Sequence, residues 1–149
     1  MAEGARGKSI RVLLVRSFKN LKRGIRLLKV AAQRGDAEAQ YSLGYYTRDS
    51  NNWGAPVDRE AARKWLLKAI KEKYALVATQ LLIMYKADKD YVEAYKWNVI
   101  GQYLWDQLGA VVKGPLLLPD IRLKMTISQI SEAKRRAVAW LAAHEENPI

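Results

Sequence analysis

The chain has 149 residues, half of them apolar, enough for one domain with a substantial core. It holds no cysteine and a single histidine, which excludes disulfide frameworks, thiolate chemistry and zinc sites built from Cys and His. The net charge of +11 is uneven: residues 1–35 carry ten Lys/Arg against Glu3 alone, whereas the other 114 residues carry 16 basic and 14 acidic side chains.

At the N-terminus the apolar run VLLV is flanked by arginines, and no small-residue cleavage site follows it. No signal peptide is expected, no stretch approaches the roughly 20 apolar residues of a transmembrane helix, and a soluble, cytoplasmic protein is the expectation. Residues 8–34 read as helix, because Ile10, Leu14, Phe18, Leu21, Ile25, Leu28 and Ala32 recur every three or four residues. At 100° per residue from Ile10, all eight Lys/Arg from Lys8 to Lys29 fall between about 100° and 240°, on the opposite face. Gly24 is a candidate kink or break.

Gly35 is placed to end this helix at C′, and Asp36 to cap a second helix from Ala37 to about Arg48. So short a turn predicts an antiparallel pair. Small residues stand along the second helix, Ala37, Ala39 and Gly44, which predicts close approach to its neighbours. The turn-forming stretch DSNNWGAPVD (49–58) is a loop, with Asp58 capping a third helix over Arg59–Lys71. Further helices are expected over Ala75–Tyr85 and from Tyr91 to Gly101 or beyond, joined by KADKD. Residues 102–112 also look helical, before Pro115 and Pro119 break the pattern. The last helix begins at Thr126 or Ser128, with Thr126 and Gln129 at capping-box spacing. No strand is required.

The chain also aligns with itself. LLKVAAQRGDAEAQYSLGYY (27–46) superposes on LLKAIKEKYALVATQLLIMY (66–85), and DREAARKWLLKA (58–69) on DYVEAYKWNVIG (90–101). Ala32, Gly35, Ala37, Ala39, Gln40, Leu43, Gly44 and Tyr46, followed by Gly54, Val57, Asp58, Ala62, Trp65, Lys68 and Ala69, resemble the Sel-one-like repeat, a branch of the tetratricopeptide superfamily. One repeat matches well. The second departs from it, with Lys73 and Val77 at the Gly and Ala positions and Leu81-Leu82 for the Leu-Gly pair. The resemblance implies an all-α fold, a short α-solenoid of antiparallel helix pairs with about seven helices. The expected organisation is one domain over 1–149: a basic N-terminal helix region at 8–34, a repeat core at 35–101, an irregular connection at 102–124 and a C-terminal capping helix at 125–145.

Motifs for catalysis are sparse: there is no GxGxxG, Walker loop, GxSxG or HExxH. His144 is the only imidazole, in the last turn of the final helix, a candidate base or ligand but also a residue suited to a helix C-terminus. Asp88, Asp90 and Glu93 sit in an interhelical turn, where capping competes with an acid pair or metal site. Trp65, Trp97 and Trp140 occupy seam positions suited to packing, whereas Trp53 lies in a loop and is a candidate contact residue.

These residues predict no enzyme and no cofactor or metal. The resemblance implies a protein-binding adaptor, in sharper form a bacterial immunity or inhibitor protein. Glu38, Tyr41, Tyr45 and Trp53 are the candidates for its groove. Arg11, Arg16, Lys19, Lys22, Arg23 and Arg26 form a basic stripe for an acidic protein partner, with solvation of that face as the plainer use. Nucleic acid ranks below a protein partner, because aromatic interleaving is missing from the stripe. Membrane attachment conflicts with the need of the apolar seam for the core.

Overall fold

The computed structural model describes residues 21–49, 57–107, 109 and 121–145. Helices are the regular elements among them: α1 (Leu21–Gln33), α2 (Ala37–Thr47), α3 (Arg59–Ala87), α4 (Tyr91–Gln107) and α5 (Ile127–Glu145). None is long and apolar enough to cross a membrane, and no strand occurs among the described residues. The backbone divides into two compact units, Met1–Lys73 and Tyr74–Ile149.

In the first unit α1 runs through Gly24 without a break. It ends where Gly35 adopts φ +89°, a conformation that costs a residue without Cβ nothing. The amide of Asp36 donates to the Ala31 carbonyl (3.1 Å) and that of Gly35 to the Ala32 carbonyl (3.1 Å), the paired bonds of a Schellman turn. Asp36 then caps α2, its Oδ1 accepting from the Ala39 amide at 2.7 Å. Ile25, Leu28 and Ala32 of α1 join Ala39 and Leu43 of α2 in one core, flanked by Ala31, Tyr46 and Trp65. Asp58 closes the connection from α2: its amide donates to the Thr47 carbonyl (2.9 Å), and its Oδ1 accepts from the Ala61 amide (2.9 Å) to cap α3.

The small side of α2 is where α3 approaches. A Cβ built on Gly44 would lie 2.6 Å from Leu66 Cγ and 2.9 Å from the Ala62 carbonyl oxygen. Ala37, Ala39 and Gly44 are all buried, as the close-approach reading requires.

The separate helices expected at 59–71 and 75–85 are one continuous helix, α3. Lys and Glu are good helix formers, and no Gly, Pro or capping residue stands at Lys71-Glu72-Lys73 to end the helix. Residues 102–107, at the start of the stretch 102–112 expected to look helical, complete α4.

In the second unit, α3 past Tyr74 is buried around most of its circumference: Val77, Ala78 and Leu81 are fully buried, and Leu82 and Met84 nearly so. Ala94, Trp97 and Ile100 of α4, Ile121, and Ala133 and Ala137 of α5 complete the core. The turn from α3 to α4 repeats the Gly35-Asp36 geometry with another residue. Lys89 has φ +61°, its amide donates to the Lys86 carbonyl (3.1 Å), the Asp90 amide donates to the Tyr85 carbonyl (3.0 Å), and Asp90 Oδ1 caps α4 at the Glu93 amide (3.1 Å). A side chain in the left-handed region costs about 1–2 kcal/mol. Lys89→Gly is therefore expected to raise stability by about 0.5–1 kcal/mol after the extra backbone entropy of glycine is charged against it, read as a shifted urea midpoint. α5 opens as the sequence predicts, with the Gln129 amide donating to Thr126 Oγ1 (3.2 Å) and the Thr126 amide donating to Gln129 Oε1 (2.9 Å).

Candidate functional site

A helix whose buried side is made small has its larger side chains elsewhere, and on α2 these are Glu38, Tyr41 and Tyr45, all half-buried. Spaced by three and four residues, they share one helix face. The Tyr41 and Tyr45 rings stack with centroids 6.2 Å apart at 25°, and the Tyr46 ring meets Tyr45 edge-on at 5.4 Å. Arg48 lays its guanidinium 4.8 Å from the Tyr45 centroid while its Nε donates to Asp49 Oδ2 at 3.0 Å. Stacking and the ion pair hold the two rings and the cation in one arrangement. Of the predicted groove residues, three are thus brought together. Trp53 lies outside the described residues.

The basic stripe is described in part. Arg11, Arg16 and Lys19 fall outside the described residues, and Lys22 is placed by its position in α1. Arg23, Arg26 and Lys29 are exposed, while Ile25, Leu28 and Ala32 of the same helix are buried, so the predicted division into an apolar and a basic face holds over these turns. The stripe and the tyrosine face belong to the two helices of one hairpin. Arg48 was not legible as a member of the set; its signal was the i+3 spacing from Tyr45 at the helix end.

The acidic turn residues do structural work. Asp90 is the cap of α4, and Glu93 binds Lys96 Nζ through Oε2 (2.8 Å) and Arg136 Nη1 of α5 through Oε1 (2.9 Å). Arg136 Nε also donates to Glu132 Oε1 (2.7 Å), and Arg135 pairs with Glu132. Burial pushes the Glu93 carboxyl up, but hydrogen bonds and charge from Lys96 and Arg136 outweigh it and hold the group below its ordinary value. A lowered folded-state value contributes stability that is fully present above the unfolded glutamate's pKa of about 4.3 and is lost as pH falls through the folded value. Glu93→Gln should accordingly flatten the loss of denaturant midpoint that the parent chain shows on acidification below about pH 4.3, and an unchanged pH profile would count against the network. His144 stacks on Trp140 (3.9 Å) and its Nδ1 donates to the Trp140 carbonyl at 2.7 Å, a helix C-terminal bond.

One feature of α4 escaped the sequence reading. Trp97, Asn98, Gly101 and Trp105 line a crevice whose other wall is Thr79 and Leu82 of α3. Asn98 is 5% exposed although it stands in an otherwise apolar stripe, and that polar interruption was the available signal.

The α1–α2 hairpin of the first unit thus carries an aromatic, cation-backed face. No family model matches this chain, and no curated protein or solved structure gives a significant match to it.

Proposed function

We propose that this protein is a non-enzymatic protein-interaction module, a short solenoid of the Sel-one-like type that captures an acidic partner. The observation that carries the reading is the ordered Tyr41–Tyr45–Arg48 stack on α2. Tyrosine and arginine are the residues on which binding energy concentrates, and here both are pre-ordered and half-buried, the Arg48 side chain being 14% exposed. The exposed Arg23, Arg26 and Lys29 of α1 add the charge that steers an acidic surface toward the hairpin. The sharper form is a bacterial immunity or inhibitor protein acting in the cytoplasm on an acidic effector.

Reversing the stripe tests this. A Lys22→Glu, Arg23→Glu, Arg26→Glu variant should lose about tenfold or more in affinity for the partner captured by the parent chain from its native host, mainly through association rate, with the helical circular dichroism spectrum unchanged. Undiminished capture removes the stripe from the mechanism. The same cations favour a second reading, nucleic-acid binding, which requires a log–log salt slope near −0.9 per phosphate neutralised on duplex DNA. Failure to retain DNA or RNA at about 50 mM salt ends that reading.

A further inference from the structure

We infer that the outward side of α1 attaches to an anionic lipid surface, with Leu27 and Val30 entering the headgroup layer between flanking cations. This goes beyond the protein-capturing role and does not rest on it. The apolar seam of α1 lies in the core, where Ile25 is 8%, Leu28 2% and Ala32 2% exposed. Leu27 and Val30 stand outside that seam, at 40% and 46% exposed. Membrane contact through them therefore leaves the core intact. Arg23, Leu27 and Val30 follow one another at intervals of four and three residues, so they make one line along the helix, and exposed Arg34 stands four residues further on, just past its end. Arg26 and Lys29 are exposed beside that line.

Charge and residue type together select the surface. No Asp or Glu stands between Glu3 and Asp36, so the cations of α1 have no acidic neighbour on their own helix. A protein interface is held in register by charges of both signs, whereas an anionic bilayer is laterally uniform and binds more tightly with every added Lys or Arg. A second copy of this chain would set arginine against arginine. A nucleic-acid backbone would meet the cations but leave Leu27 and Val30 in water. At a lipid surface each side chain has a place: the long stems of Arg23 and Arg34 reach up to the phosphates, while the two apolar side chains between them sit at the boundary of headgroups and acyl chains.

The chain has no cysteine, so Val30→Cys takes an environment-sensitive fluorophore at one position only. The probes are vesicles of about equal phosphatidylglycerol and phosphatidylcholine, and vesicles of phosphatidylcholine alone. Expected is co-sedimentation of the parent chain with the anionic vesicles about tenfold or more above the neutral ones, falling with added salt. The label on Val30→Cys should shift its emission to the blue on anionic vesicles, and one on exposed Lys134→Cys should not. A Leu27→Ser, Val30→Ser variant keeps every cation and alters side chains outside the core, so its helical circular dichroism spectrum and its capture of a protein partner should hold while vesicle binding falls about tenfold. Equal binding to neutral vesicles, a serine pair that binds vesicles as the parent does, or a Val30→Cys label that stays in water on anionic vesicles overturns the inference. So does loss of partner capture by the serine pair with vesicle binding unchanged, which assigns Leu27 and Val30 to the protein contact instead.

Discussion

Gly44→Ala is expected to destabilise the protein by about 2 kcal/mol, with a fall of roughly 5 °C in Tm, although alanine is the better helix former by about 1 kcal/mol. The two effects oppose, and distance decides between them. The new methyl would stand 2.6 Å from Leu66 Cγ and 2.9 Å from the Ala62 carbonyl oxygen, well inside van der Waals contact on both counts. Leu66 is fully buried and has no free direction in which to turn, and the Ala62 oxygen belongs to the backbone of α3. Relief therefore requires α2 and α3 to move apart, which loosens the packing of Leu43 and Trp65 as well. Removing the leucine supplies the internal control: in the Gly44→Ala, Leu66→Ala double variant the losses should fall short of their sum by about 0.5–3 kcal/mol, because the truncated side chain leaves room for the methyl. A Gly44→Ala protein as stable as the parent would show that α2 and α3 are not held this close in solution.

That contact also explains which features were legible beforehand. Gly35-Asp36, Asp58, Asp90 and the Thr126/Gln129 pair were readable because each is a local device, a cap or a left-handed residue acting within four positions of itself. The self-alignment of 27–46 on 66–85 misled for the complementary reason. It matched flanking residues across a point where one copy has Gly35-Asp36 and turns, whereas the other has Lys73, Tyr74 and Ala75 and continues as helix. Residue types that permit a turn were the information, and the second copy lacks them. The alignment of 58–69 on 90–101 fared better: both copies start with a capping aspartate and place a fully buried alanine, Ala62 or Ala94, one turn later. Lys89 was illegible as a left-handed residue because the turn is imposed by its two bracketing hydrogen bonds and by Asp90, not by the lysine itself. Among the candidate contact residues, Tyr41 and Tyr45 could be paired from helical spacing alone, but the cation that completes their stack comes from Arg48, the C-cap of α2. The crevice around Asn98 depends on packing between helices, which no single-helix pattern encodes.

Trp97→Ala should be the most damaging single truncation in the second unit, at about 3–5 kcal/mol. The side chain is 3% exposed, meets Trp140 edge-on at 5.4 Å and carries Lys96 4.8 Å above its ring, so it ties α4 to α5 both by area and by ring geometry. Trp97→Phe distinguishes the contributions. It keeps an aromatic face for Trp140 while deleting a nitrogen that has no hydrogen-bond partner, so its loss should come from volume alone and stay near the lower end for a large-to-small core change. A cycle with Trp140→Leu then isolates the ring pair, for which a coupling of about 0.5–1.5 kcal/mol is expected beyond buried area. Closure at zero would mean that the rings are neighbours without orientation-dependent attraction, leaving the Arg136–Glu93 pair as the directional contact between α4 and α5 beside their apolar packing. In that event Arg136→Met, which keeps the aliphatic stem but severs the pairs to Glu93 and Glu132, would separate the helices at lower denaturant than Trp97→Phe does.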